Sequence, residues 1–230
     1  MSAEARMSDV VAVASSSAEG MSSDELDKAI LRLPKPEQSR ARNLRFEMPR
    51  RAFVLGRLLL RTTVARVADV ASEGVVIDIE PTGRPRLTGE LSHYFVSIAH
   101  SASRVVVGVA KRQVGVDVEH LPQSAPQPRL MARVCSPDEL RVLEVMNDAD
   151  RAAAFMTVWT RKEAYGKAVG HGLDFPLSSV TVGVSGSTIF GGKGDWHAAD
   201  IDVDPRCAAA VVARGDGWRV QLDQVEYRSL

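Results

Sequence analysis

An α+β fold is predicted: two pseudo-symmetric halves, each an antiparallel sheet with a long packed helix. Three observations lead to it. Residues 49–67 and 148–169 are long stretches of helical composition without internal proline. Each is followed by short β-branched or Ala-rich runs of strand length. Sliding the first half forward by 102–104 residues lays like on like: Phe53 on Phe155, Val76 on Val180, Ile98 on Ile201, and Val105 to Val107 on Ala208 to Ala210.

The elements follow in order. Val10 to Ala14 form an apolar run without a basic leader, closed by three serines, and read as a first strand rather than a signal peptide. Ser22-Ser23-Asp24-Glu25 is a capping box opening a short helix before Pro34, and a second helix starts near Pro36. The long helix 49–67 carries Arg50, Arg57 and Arg61 on one face. After Gly74 comes the strand-like run 75–79, then a turn at Pro81-Thr82-Gly83-Arg84-Pro85. Three more strands are expected over 94–99, 104–110 and 114–119, and a Pro/Gln-rich linker over 121–128. Ser136-Pro137-Asp138-Glu139 caps another short helix. The helix 148–169 should end at Gly170 or Gly172, and strands are expected over 179–184, 198–203, 208–213 and 218–225. This divides the chain into an N-terminal half, 1–120, and a C-terminal half, 121–230, with ligands favoured where such halves meet.

Composition narrows the classes. The 230 residues are 45% hydrophobic and 25% charged, ordinary for a soluble globular protein. No apolar run approaches the ~20 residues of a membrane helix. Cys135 and Cys207 lack metal-type spacing and read as buried thiols in a reducing, cytoplasmic setting. Net charge is zero, but residues 28–66 hold eleven Lys/Arg against Glu37 and Glu47, an excess of +9 that the remainder balances. That favours a polyanionic ligand or an acidic partner, with a solvated helix face as the other reading. Nucleic acid is disfavoured, because aromatics for stacking are few nearby.

Two segments carry the chemistry. In Gly115-Val116-Asp117-Val118-Glu119, strand alternation points Asp117 and Glu119 to one face and the valines to the core. Two adjacent carboxylates repel and want a cation, and all-oxygen donors favour Mg²⁺ over zinc or copper; a solvated acidic edge is the alternative. In Trp159-Thr160-Arg161-Lys162-Glu163-Ala164-Tyr165-Gly166-Lys167, residues 159, 163 and 167 share a helix face, offering a third carboxylate and an ammonium for phosphate. An exposed Glu–Lys pair is the plain reading of that spacing. His100, at a strand end between small residues, reads as a phosphate contact, and Arg84 as a phosphate clamp if Gly83-Arg84-Pro85 is more than a turn.

Together the two segments, with Gly83-Arg84-Pro85 and residues 97–101, resemble the signature motifs of 4′-phosphopantetheinyl transferases of the larger, Sfp-like class. The resemblance spans about residues 40–184 and keeps the motif order. It implies a monomer of two α+β halves that moves the phosphopantetheine arm of coenzyme A onto a serine of an acyl or peptidyl carrier protein, releasing 3′,5′-ADP. It implies that Asp117, Glu119 and Glu163 hold Mg²⁺ (or Mn²⁺), and that Lys167 meets the phosphates and leaving group. Arg40, Arg84, Ser97 and His100 would bind coenzyme A. Asp117, Glu163 and Lys167 would be catalytic, with Glu163 or a metal-bound hydroxide taking the serine proton. Ala99 stands where many members have Ser, and Arg84 where Lys is usual. No membrane or nucleic-acid partner is implied. A Mg²⁺-dependent pyrophosphatase and a catalytically inert coenzyme A- or carrier-binding module are the competing readings.

Overall fold

The computed structural model describes residues 9–122, 124, 126–170 and 176–230. Strand β1 (Val10–Ser17) leads into helices α1 (Ser23–Leu31), α2 (Lys35–Asn43) and α3 (Glu47–Ala68). A hairpin of β2 (Ile77–Ile79) and β3 (Pro85–Leu87) precedes β4 (Phe95–Ser101), β5 (Arg104–Ala110) and β6 (Val114–His120). Helices α4 (Pro128–Val134), α5 (Pro137–Glu144) and α6 (Asp148–Val169) follow, then β7 (Trp196–Asp200), β8 (Cys207–Arg214) and β9 (Arg219–Gln224). Both capping boxes form: Ser22 and Ser136 accept from the backbone N–H of Glu25 and Glu139, whose carboxylates accept in return. Helix α6 ends at Gly170, in the left-handed conformation at φ 79°. The alternative stop, Gly172, and linker positions Gln123 and Ala125 lie outside the described residues.

The strands make a four-stranded sheet, β4-β5-β1-β9, a three-stranded sheet, β6-β8-β7, and the separate β2–β3 hairpin. Side-chain alternation builds the layers. Val105, Val107 and Val109 of β5 pack with Leu55 and Leu59 of α3, while Val106 and Ala110 join Val116, Val118 and Val211 between the sheets. The order is therefore α3, first sheet, second sheet, α6. The sheets do not follow a division at residue 120, because β6 pairs with β8 and β9 pairs with β1.

Several expectations are corrected. The first sheet is mixed, since β9 enters beside β1 in parallel after crossing over from the second sheet. The serines after Ala14 continue β1, with Ser15 and Ser16 buried. Residues 179–184 are not a strand. Thr181 makes an isolated bridge to the Phe190 backbone, and side chains satisfy its neighbours: Glu139 accepts from Val182 and Gly183 N–H, Arg161 donates to the carbonyls of Val182 and Gly183, and Lys162 donates to that of Val180. Pro85 begins β3 as well as ending a turn, and Pro128 opens α4 as well as closing the linker. Cys135 is buried as expected, whereas Cys207 is half-buried; neither is in a disulfide. No helix among the described residues is long and apolar enough to cross a membrane.

Part of the basic excess of residues 28–66 is structural. Arg61 and Arg57 are buried against Glu37 at 2.8 and 3.7 Å, while Arg51 and Arg66 pair with Glu47 and Asp223. A second ion pair, largely buried, links β5 to the turn before β8: Asp204 accepts from Arg104 at 2.5 Å, and also from the more exposed Arg206 at 3.1 Å. These bonds hold its carboxyl well below the usual range, Arg206 contributing most.

The contact that most shapes the site is β6 on α6. At Gly115 a Cβ would stand 2.0 Å from the Ala164 carbonyl oxygen and 2.6 Å from the Ala168 nitrogen, so only glycine lets strand and helix meet. Because both obstacles are backbone, Gly115→Ala should separate the two elements and cost ~1–3 kcal/mol of stability. Urea denaturation checks this, and an unchanged midpoint would show that the approach is not tight.

Candidate active site

Two residues along β6 from Gly115, the same strand face presents Asp117 to α6. Lys167 reaches it from the last turn of the helix, Nζ to Oδ1 at 2.6 Å. Asp117 is 5% exposed. Burial pushes its carboxyl up to about 6; the Lys167 ammonium opposes the rise, and Glu119 and Glu163 add to it. Its Oδ2 is buried without a hydrogen-bond partner. Glu163, one turn before Lys167, is also raised, first by burial, with Lys167 opposing and Glu119 adding. Glu119 accepts a hydrogen bond from Ser101 Oγ at 2.8 Å. Asp117 thus feels the charge of both glutamates, and Glu163 that of Glu119. Among the described residues, no group of three or more His, Cys, Asp or Glu is drawn together closely enough to enclose a metal ion.

Next to this cluster, Arg84 and Pro85 of the β2–β3 hairpin, Ser97 and Ile98 of β4, and Lys167 and Gly170 of α6 line a cavity of ≈ 180 Å³. Gly83, at φ 86°, makes the turn that delivers Arg84. The Arg84 guanidinium lies against Gly170, its Nη1 3.1 Å from where a Cβ would be, so the end of α6 needs glycine for space as well as conformation. Three elements distant in sequence therefore bring two cations to one pocket beside the carboxylates.

The remaining candidates are placed as follows. His100 keeps an edge open to solvent; desolvation lowers its basicity first and repulsion from Lys167 second, while Glu119 acts the other way. Ser97 accepts from the Val116 N–H at 3.1 Å, so its oxygen also fixes β6. Arg40 is exposed on α2, its guanidinium 5.1 Å from the Phe53 ring centroid, and does not line the cavity. Lys162, beside Glu163 in the motif, is fully buried. It donates to the carbonyls of Val134, Leu177 and Val180 and pairs with Glu139 at 2.6 Å. Arg161 is likewise structural, forked onto Asp200 through two bonds of 2.8 Å. In this motif Glu163 and Lys167 serve the site, while Arg161 and Lys162 anchor the helix that presents them.

Two contributors escaped the sequence reading. Gly115 carried a usable signal, a glycine inside an otherwise β-branched strand. Ser101 carried none, because its partner lies 18 residues away across the seam between sheets.

Comparison with known proteins places the chain in a family. Residues 21–112 match the family model for the 4′-phosphopantetheinyl transferase N-terminal region, and residues 113–211 the model for the 4′-phosphopantetheinyl transferase superfamily. The junction falls just before β6, where the second sheet begins. The chain is 29% identical over 192 residues to 4′-phosphopantetheinyl transferase HetI of Nostoc sp., covering 81% of each chain. It is 24% identical over 162 residues to a 4′-phosphopantetheinyl transferase of Bacillus subtilis, covering 70% of this chain and 71% of that one. Against 4′-phosphopantetheinyl transferase Sfp of Bacillus subtilis it is 22% identical over 182 residues, covering 77% and 80%. The two family models and these relatives define the class as a group-transfer enzyme. The chain belongs to the 4′-phosphopantetheinyl transferase superfamily, in its Sfp-like type, and has that enzyme activity.

Two predictions follow from the geometry. Lys162→Met leaves Glu139 without its cation and three buried carbonyls without their donor, and should cost ~3–5 kcal/mol in chemical denaturation; a loss below ~1 kcal/mol would mean that the pair is not needed for folding. Burial pushes the Asp117 carboxyl from its ordinary 3.8 up to about 6, so between those pH values the folded state binds more protons than the unfolded. Wild-type stability therefore falls as pH rises through that window, and the full penalty is present above about 6. Asp117→Asn should be more stable than wild type at pH 7.5, with the difference fading towards pH 4. Denaturation of EDTA-treated protein across that range tests the sign, and a constant difference contradicts it.

Proposed function

We propose that this enzyme takes coenzyme A as donor and attaches its 4′-phosphopantetheine arm to the serine of an apo acyl or peptidyl carrier protein, releasing 3′,5′-ADP with Mg²⁺ as cofactor. The observation that carries this reading is the convergence of Arg84, Ser97 and Lys167 on one cavity, with Lys167 bonded to buried Asp117. The donor set suits a hard cation: three carboxylates, one of them with a buried oxygen lacking any partner. Asp117, Glu119 and Glu163 would hold Mg²⁺, whose charge offsets that of the donor pyrophosphate.

The chain's own groups account for the rest. Arg84 and His100 would meet phosphate oxygens at the nucleotide end, and Arg40 would extend the same basic surface. Ser97, whose oxygen accepts from Val116 N–H, still has its proton to donate into the cavity. Lys167 is one-third exposed at its side chain and placed to give a hydrogen bond to a phosphoryl oxygen or to the departing ADP oxygen. The Glu163 carboxylate accepts no hydrogen bond among the described residues, and burial raises its affinity for a proton; it is the group proposed to take the proton from the attacking serine. Exposed cations near the first helices, such as Arg42 and Arg45, suit an acidic partner and would speed encounter.

Intact-mass measurement of an apo carrier protein incubated with enzyme, coenzyme A and Mg²⁺ tests the proposal. A gain of one phosphopantetheine is expected, whereas coenzyme A cleavage at equal rate without carrier would point to a pyrophosphatase. Asp117→Ala should abolish transfer, and Glu163→Gln should slow it by ~10²–10⁴-fold, both with the fold retained. A variant near the wild-type rate would remove that carboxylate from the chemistry.

A further inference from the structure

Strands β4 and β6 lie side by side where the sheets meet, yet belong to different sheets and share no backbone ladder. Hydroxyls stand in for the ladder carbonyls. Ser97 Oγ accepts from Val116 N–H at 3.1 Å, and Ser101 Oγ accepts from His120 N–H at 3.3 Å. Both contacts span 19 residues, so the strands advance together in parallel and the two serines keep one register. Ala99, between them on the same face, offers no oxygen.

Ser101 does more than close the seam. Its proton goes to Glu119 Oε2 at 2.8 Å, so one hydroxyl donates to the side chain of residue 119 and accepts from the backbone of residue 120. No other hydrogen bond reaches the Glu119 carboxylate among the described residues. A glutamate on a strand has three side-chain torsions to fix, and fixing them on ligand binding costs entropy. A bond to one oxygen fixes them beforehand and leaves Oε1 open.

We propose that Ser101 is a positioning residue for Glu119, holding this carboxylate ready for a divalent cation shared with Asp117 and Glu163. This rests on the metal assignment made above. Partners of this kind, which orient a ligand without touching the metal, typically change affinity by ~10–100-fold when removed.

Mn²⁺ binding to EDTA-stripped protein, followed by the paramagnetic resonance of the free ion with no coenzyme A present, provides the test. Ser101→Ala should bind Mn²⁺ at least ~10-fold more weakly, while Ser101→Thr, which keeps a hydroxyl, should recover most of the loss. In the transfer assay, Ser101→Ala should need more Mg²⁺ for half-maximal rate but approach the wild-type rate at saturation. If Glu119→Gln loses Mn²⁺ while Ser101→Ala binds like wild type, the inference falls and the metal assignment stands. If wild type binds no Mn²⁺, both fall. Equal weakening in the Ala and Thr variants, with lowered melting temperatures, would reduce Ser101 to a structural seam residue and overturn the proposal.

Discussion

The close approach of β6 to α6 governs this molecule. A side chain at residue 115 would meet the backbone of α6 and hold strand and helix apart. Gly115 removes the spacer, so Asp117 is buried and within 2.6 Å of Lys167. Burial is unfavourable for the carboxylate, which the ammonium only partly offsets, and a charged, under-satisfied group results. Such a group is poor for stability and well suited to recruiting a cation or stabilising phosphoryl charge.

Around this contact the chain separates anchoring from chemistry. Helix α6 is pinned by Lys162 on three carbonyls and Glu139, and by Arg161 on Asp200. Glu139 does double duty, closing a capping box and accepting from two backbone N–H groups of residues 182–183. With the helix held on its far side, Glu163 and Lys167 can project towards β6 without bearing structural load. Adjacent residues of one motif thus have opposite roles, decided by which side of the helix they occupy.

What could be read from the sequence was local. Both capping boxes, the two long helices, the turn at Gly83 and the shared face of Asp117 and Glu119 follow from spacings of a few residues, and the structure bears them out. Residues 179–184 misled because β-branched composition signals burial and extension but not the partner; apart from one bridge between Thr181 and Phe190, side chains from α5 and α6 meet that backbone. The anchoring role of Lys162 could not be read, because nothing nearby in sequence announces that a lysine will meet three carbonyls and a glutamate in the core. Arg57 and Arg61 read as free positive charge until Glu37, on another helix, is seen between them. The parallel pairing of β9 with β1 joins residues more than two hundred positions apart, beyond the reach of any periodicity.

That pairing affects how the chain reaches its native state. The first sheet is unfinished until residues 219–224 arrive to lie along its opening strand, so during synthesis the N-terminal portion leaves the ribosome with one edge of β1 bare. An exposed edge beside Val11 and Val13 invites mispairing with other chains. Completion waits on the most sequence-distant contact in the molecule, which favours slow, late closure of the whole barrier-crossing process rather than independent maturation of two modules.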